Sequence, residues 1–161
     1  MKNRVLFVCT GNVCRSPMAE GLFQSMVEEA GDDDIIVESA GIGAMDGMGP
    51  SAHSVTVMAE EGIDISRQRS QMLTPELLDQ CTHVFGMSRS HIEAIRAYFP
   101  ESQEKTFVLR EFIVADHLDI DVHDPIGMDV DEYQLTRNLI KEALPSVYRF
   151  VKTGDPDGAT S

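Results

Sequence analysis

The chain has 161 residues, 42% of them hydrophobic, and its 27 acidic and 13 basic residues give a formal net charge of −14. This length suits one globular domain with a sizeable core, and the negative charge argues against a nucleic-acid partner, whose phosphates it would repel. No apolar run approaches the roughly 18–20 residues of a membrane span, and the first apolar run is too short for a signal peptide. Because the three cysteines do not make a disulfide framework, we expect a reduced, cytoplasmic location. The lack of a long apolar run predicts that the protein has no membrane partner.

The first predicted element is a buried strand, which is followed by a short loop and a helix. Val5–Val8 are four consecutive apolar residues, three of them β-branched or aromatic, as is typical of a buried strand. Ser16 before Pro17 predicts a helix N-terminus, with Ser16 as the N-cap and Pro17 at the first helical position. The loop between the strand and the helix opens with Cys9 and closes with Arg15.

This loop has the features of an oxyanion site. Its backbone amides can converge on one point, and the N-terminus of the helix adds partial positive charge there. The planar guanidinium of Arg15 suits two phosphate oxygens at once. The same positive field favours the thiolate of Cys9, and a thiolate beneath a bound phosphate is a phosphatase nucleophile. The predicted phosphate-binding residues are those of the loop: Thr10, Gly11, Asn12, Val13, Cys14 and Arg15.

Helices and strands alternate along the rest of the chain. Apolar spacing, capping residues and β-branched runs predict helices over 17–30, 51–61, 88–98 and 131–152, a further helix capped by Thr74, and strands over 35–40, 83–87 and 106–109. The glycine-rich segment Gly41–Pro50 and the polar segment Asp64–Leu73 are predicted loops. Pro145 is expected to kink the last helix or divide it in two. We expect a single domain over 1–153 and a disordered tail over 154–161.

Strands that alternate with helices predict a parallel sheet covered on both faces. The string Cys-Thr-Gly-Asn-Val-Cys-Arg-Ser-Pro at 9–17 closely resembles the signature of the low-molecular-weight protein-tyrosine-phosphatase family. The resemblance spans essentially the whole chain and implies the family's α/β fold, a three-layer sandwich with a four-stranded parallel sheet and the phosphate-binding loop after strand 1. It also implies phosphotyrosine-type phosphoprotein substrates, a phosphocysteine intermediate, and inhibition by phosphate and other oxyanions. No cofactor or metal is implied, and we expect a monomer.

Attack of Cys9 on phosphorus expels a poor leaving group, which needs a proton as the bond breaks. Asp124 is the predicted donor, because Pro125 restricts the backbone of the preceding residue and so directs its carboxyl group. Taken alone, Asp-Pro is also a common turn. The family places its general acid in an Asp-Pro near the C-terminus, and the only other Asp-Pro downstream, at Asp155, lies in the predicted tail.

The resemblance also implies a set of residues that support the loop. Ser16 is expected to donate its hydroxyl hydrogen to Cys9, and Asn12 to hold a left-handed turn, since asparagine tolerates positive φ. Ser39 is predicted to support the loop as well. Family members commonly brace this asparagine with a histidine, and Gln68 occupies that position here. We expect the glutamine to replace the histidine as a hydrogen-bonding partner.

Cys14 has two interpretations. It is either a small residue that packs in the core, or a resolving thiol that traps oxidised Cys9 as a reversible disulfide and prevents further oxidation. The resemblance to the family favours the second interpretation.

Two other functions fit the residues less well. The arsenate-reductase relatives use the same loop but relay oxidation through two further cysteines, and only Cys81 lies outside the loop here. An idle anion-binding module is disfavoured because Cys9, Arg15, Ser16 and Asp124 are all present.

Two substrate classes stay open. Tyrosine-specific relatives line the pocket with aromatic residues, whereas the predicted wall of this pocket consists of Val13, Met45, Asp46, Met48 and Ile126. Phosphotyrosine is nevertheless the default substrate of the family. The protein-arginine-phosphatase branch has threonine, nearly isosteric with valine, at the position of Val13, and it has an apolar residue and glycine after the Asp-Pro, as this chain does. Phosphoarginine is therefore the alternative substrate.

Overall fold

A four-stranded parallel sheet forms the centre of the protein, whose computed structural model describes residues 2–115 and 120–157. The strands are β1 (Asn3–Cys9), β2 (Ile35–Gly41), β3 (His83–Gly86) and β4 (Thr106–Val108). Their order across the sheet is β2-β1-β3-β4, and every neighbouring pair is parallel. This confirms the predicted sheet and places β1, which leads into the loop, in its interior.

Helices cover both faces of the sheet. They are α1 (Arg15–Glu29), α2 (Ala52–Ala59), α3 (Pro75–Gln80), α4 (Arg89–Tyr98) and α5 (Val130–Thr153), with a 3₁₀ turn at Pro100–Lys105. Residues of β1 alternate between the faces: Val5 and Phe7 join the core formed with α1 and α5, and Leu6 and Val8 join the core formed with α3 and α4. All four are fully buried, which explains the continuous apolar run and confirms the three-layer sandwich.

The predicted N-cap Ser16 is wrong, and of the two outcomes expected at Pro145, a kink or a division, the division does not occur. Helix α1 begins at Arg15 with Cys14 as its N-cap, so Ser16 lies inside the first turn, where its side chain faces the loop. Helix α5 runs through Pro145 as one element and is not divided there. Leu144 and Val147 are buried on either side of the proline, and this packing offsets the lost backbone hydrogen bond. The predicted N-caps Thr74 and Ser88 are confirmed.

The end of the chain is described as far as Asp157. Gly154, with φ of 80°, caps α5 in the left-handed conformation, and the Arg149 guanidinium donates to the Pro156 carbonyl at 3.1 Å. Residues 158–161 of the predicted tail lie outside the described residues, so the disorder expected there stays a prediction. Within 2–115 and 120–157, each helix is too short or too polar to cross a lipid bilayer.

Candidate active site

The loop that follows β1 lies at the carboxyl edge of the sheet, directly against the end of β2. Cys9 pairs with Gly41 in the parallel register. A Cβ atom on Gly41 would lie 2.6 Å from the Thr10 carbonyl oxygen and 2.9 Å from the Asn12 nitrogen. Glycine at this position therefore allows the loop to fold tightly over the sheet.

Cys9 occupies the base of the loop with two polar groups on its sulfur. Its side chain is buried, with 2% exposed. The Ser16 Oγ atom lies 2.9 Å from Sγ, and the Asn12 backbone N–H donates to Sγ at 3.3 Å. Because the Asn12 side-chain amide donates to Ser16 Oγ at 2.8 Å, the hydroxyl hydrogen can point at the sulfur, which is nearer than its other acceptor, the Ala40 carbonyl at 3.5 Å. Both contacts and the N-terminus of α1 place polar groups and partial positive charge at the sulfur.

Asn12 organises the loop from its centre. Its φ of 56° confirms the predicted left-handed turn. The side-chain amide also donates to Ser39 Oγ at 2.9 Å, and its oxygen accepts the Gln71 N–H at 2.9 Å. Ser39 in turn donates to a carboxylate oxygen of Glu20 at 2.6 Å, and burial raises the pKa of Glu20. Ser39 therefore supports the loop, as predicted.

The prediction that Gln68 braces Asn12 is wrong. The Gln68 side-chain amide donates to the Pro17 carbonyl at 3.2 Å, near the start of α1. The backbone N–H of Gln71, rather than the Gln68 side chain, donates to the Asn12 side-chain oxygen. A turn closed by the Gln68 N–H onto the Ile65 carbonyl at 3.0 Å sets Gln68 beside the helix rather than beneath the loop.

The guanidinium of Arg15 is buried and held on three sides. One terminal nitrogen donates to the Val122 carbonyl at 3.0 Å. The other lies 3.5 Å from the Asp124 carboxylate and 3.5 Å from Thr10 Oγ1. Its Nε is buried with no hydrogen-bond partner among the described residues. A buried donor without a partner is costly, and an oxygen of a bound phosphate would satisfy it.

Asp124 closes a turn and places its carboxyl group beside Arg15. Its Oδ1 accepts the Ile126 N–H at 3.1 Å and closes a turn around Pro125. Its Oδ2 is the atom that lies near Arg15, and 42% of the side chain is exposed. The turn therefore holds a solvent-accessible carboxyl group at the edge of the anion site, where it can transfer a proton.

Cys14 lies in a polar pocket that includes a tyrosine not identified from the sequence. Its Sγ is 3.3 Å from the Tyr133 hydroxyl and 3.6 Å from Ser51 Oγ. Burial raises the pKa of the Cys14 thiol and raises the pKa of Tyr133 to about 12. Tyr133 stands in the first turn of α5, more than a hundred residues from Cys14, so only the packing of α5 on α1 brings the two together.

His91 is a second residue missed by the sequence analysis. Its Nε2 lies 3.1 Å from Thr10 Oγ1, inside the phosphate-binding loop. In the sequence it is one polar residue in a helix, three positions after the cap Ser88. A side chain able to form a capping box at that position was the only available signal.

The predicted wall residues lie on the two segments that flank the loop. The side chains of Met45, Met48 and Ile126 are largely exposed, at 73%, 50% and 60%. Asp46 is partly engaged, because its Oδ1 accepts the Met72 N–H at 2.8 Å. Val13 is half-buried and packs in part against the core. No group of acidic, histidine or cysteine side chains within 2–115 and 120–157 is arranged to hold a metal ion.

Comparison with known proteins gives a consistent result. The family model described as "Low molecular weight phosphotyrosine protein phosphatase" matches residues 4–154. The protein-arginine-phosphatase of Geobacillus stearothermophilus is 37% identical over 95% of this chain and 99% of its own length. The probable low molecular weight protein-tyrosine-phosphatase EpsP of Ralstonia solanacearum is 33% identical over 97% of this chain and 96% of its own length.

A solved structure supports the same grouping. It is a cysteine-to-serine mutant of the YwlE arginine phosphatase with a phosphorylated active-site serine. The two structures superpose with a TM-score of 0.86 and are 35% identical in sequence. The match covers 93% of this chain and 96% of the YwlE chain.

Proposed function

The chain belongs to the low molecular weight phosphotyrosine protein phosphatase family and is a cysteine-dependent phosphatase, and from this premise we propose that Cys9 attacks phosphorylated side chains of proteins. The observation that carries the proposal is the environment of the Cys9 sulfur, 2.9 Å from Ser16 Oγ and 3.3 Å from the Asn12 N–H at the base of an anion loop. The phosphoserine in the related mutant structure supports a phosphoenzyme intermediate.

The reaction has two steps in which Asp124 exchanges its proton. In the first, the Cys9 thiolate forms a bond to phosphorus while the bond to the leaving group breaks, and Asp124 gives its proton to that group. In the second, the Asp124 carboxylate takes a proton from water, the water oxygen bonds to phosphorus, and the thiolate and inorganic phosphate are released. Arg15 and the loop amides hold the non-bridging oxygens in both steps.

Of the two substrate classes, we propose phosphoarginine as the preferred one. The exposed wall side chains Met45, Met48 and Ile126 are not aromatic, and they offer no flat ring for phosphotyrosine to stack on. The exposed Asp124 carboxyl group suits a guanidinium. The higher identity to the Geobacillus arginine phosphatase, 37% against 33% for the Ralstonia relative, supports the same choice. Phosphotyrosine is the second candidate, supported by the family model and by the Ralstonia relative.

We expect a higher kcat/KM on phosphoarginyl than on phosphotyrosyl peptides of the same sequence. Val13→Ile should lower the ratio of kcat/KM on the phosphoarginyl peptide to kcat/KM on the phosphotyrosyl peptide, because an added methylene narrows the entrance of the pocket. One such group changes the discrimination between two substrates by about tenfold or more. Val13→Thr is the matched control, since it changes polarity with little change in volume.

An unchanged ratio in Val13→Ile would show that residue 13 does not select the substrate. A higher kcat/KM on the phosphotyrosyl peptide would overturn the preference for phosphoarginine. Activity on neither peptide would contradict a protein substrate of either class.

We also propose that Cys14 protects Cys9 from irreversible oxidation. Peroxide converts the Cys9 thiolate to a sulfenic acid; the Cys14 sulfur then attacks the oxidised sulfur, and water leaves as the disulfide forms. We expect dithiothreitol to restore most activity after peroxide treatment of the wild type and little in Cys14→Ala. Cys81→Ala is the control, because Cys81 is also buried and burial raises the pKa of its thiol to about 11. Equal recovery in all three proteins would remove the protective role.

A further inference from the structure

His91 lies in the first turn of α4, just beyond the end of β3, and is 3% exposed. The last residue of β3, Gly86, pairs with Val8 of β1, so the start of α4 lies beside the phosphate loop. A Cβ atom on Gly86 would come within 2.8 Å of Ile92 Cδ1 and 3.0 Å of His91 Cβ. The glycine therefore permits the close approach that brings the imidazole to the loop.

The hydrogen bonds of His91 determine which ring nitrogen carries the proton. The Ser88 backbone N–H donates to Nδ1 at 3.1 Å, so Nδ1 holds a lone pair and the hydrogen of the neutral ring is on Nε2. Nε2 then donates to Thr10 Oγ1 at 3.1 Å. The same Thr10 oxygen lies 3.5 Å from a terminal nitrogen of Arg15.

We propose that His91 is a positioning residue that orients Arg15 for phosphate binding through the Thr10 hydroxyl. The imidazole fixes the Thr10 oxygen, which contacts one side of the Arg15 guanidinium. The Val122 carbonyl and the Asp124 carboxylate contact its other sides. These contacts leave the Nε of Arg15, which has no hydrogen-bond partner among the described residues, as the donor for the anion. The inference deepens the proposed function and rests on phosphate binding by the loop.

Burial and the positive charge of Arg15 keep His91 neutral. Burial is the main cause that lowers its pKa to about 4, and the positive charge of Arg15 lowers it further, against the smaller opposite effects of Asp124 and Asp121. A second proton on Nδ1 would also displace the Ser88 N–H. The donor to Thr10 is therefore maintained across neutral pH.

Two substitutions at His91 separate its two hydrogen bonds. His91→Asn keeps an acceptor near the Ser88 N–H but does not reach Thr10, whereas His91→Gln reaches Thr10 and gives up the contact with Ser88. We expect His91→Asn and Thr10→Val each to weaken binding of inorganic phosphate roughly five- to tenfold. The double variant should bind no more weakly than Thr10→Val alone, and His91→Gln should retain most of the affinity.

The measurements are calorimetric Kd values for inorganic phosphate, kcat on nitrophenyl phosphate and thermal midpoints. Unchanged phosphate affinity in Thr10→Val, or additive losses in the double variant, would overturn the positioning role. Since Thr10→Val does not touch the cap of α4, this result stands even if a His91 variant folds poorly. A wild-type protein that neither binds phosphate nor hydrolyses the ester would instead contradict the proposed function itself.

Discussion

Replacement of Cys9 by serine is expected to reduce turnover by roughly 10⁴-fold or more while inorganic phosphate still binds. Ser16 Oγ and the Asn12 N–H contact the Cys9 sulfur, and a cysteine sulfur is a far better nucleophile than a serine hydroxyl. The loop amides and the Arg15 Nε, which we infer hold the anion, are not altered by the change. Loss of catalysis with retained binding is therefore the expected signature of a nucleophile.

The experiment compares kcat on nitrophenyl phosphate with the calorimetric Kd for phosphate, both after EDTA treatment. Cys81→Ser is the matched control: it makes the same atomic change at a buried cysteine that precedes β3, at the opposite edge of the sheet from the loop. Undiminished activity in EDTA-treated Cys9→Ser would rule out a phosphocysteine intermediate. A loss of activity in the Cys81 variant as large as in Cys9→Ser would mean that the effect reports on folding.

Elements set by local pattern were predictable from the sequence. The buried strand Val5–Val8, the loop that follows it and the capped helices after Thr74 and Ser88 each depend on neighbouring residues alone. The left-handed Asn12 also follows from its own chemistry, because few side chains tolerate positive φ. The site could be located because its nucleophile, guanidinium and anion loop lie within seven consecutive residues.

Ser16 shows why the exact helix start was not predictable. A serine before proline is the usual pattern of an N-cap, yet the Ser16 hydroxyl is used by Cys9 and by the Asn12 amide. Cys14 takes the N-cap position without a side-chain cap hydrogen bond. The local preference is overridden by hydrogen bonds to residues that lie outside the helix.

Contacts between distant segments explain the other differences. The Gly41 N–H donates to the Gln71 carbonyl at 2.9 Å, and this pairing, rather than sequence spacing, decides that Gln71 and not Gln68 reaches Asn12. His91 meets Thr10 across 81 positions of sequence because β3 lies beside β1. The order of strands in the sheet is a tertiary property that the order along the chain does not determine.

Substitution of Asp124 is expected to slow hydrolysis by about 10²–10⁴-fold for substrates with basic leaving groups, which is the usual contribution of a positioned acid. Phenyl phosphate is one such substrate, because the conjugate acid of its phenolate leaving group has a pKa of about 10. Nitrophenyl phosphate should lose much less, since its leaving group departs without full protonation. The measurement is kcat on both esters for the wild type, Asp124→Asn and Asp124→Ala.

Asparagine is the informative substitution because it separates the acid from the turn. Its side-chain oxygen can still accept the Ile126 N–H that Asp124 Oδ1 accepts at 3.1 Å, but it has no carboxyl proton to give. Alanine removes both functions. If Asp124 is the general acid, the two variants should show a similar loss on phenyl phosphate and a similar dependence on the leaving group. If Asp124→Asn retains wild-type rates on both esters while Asp124→Ala loses activity equally on both, the carboxyl group only shapes the turn around Pro125.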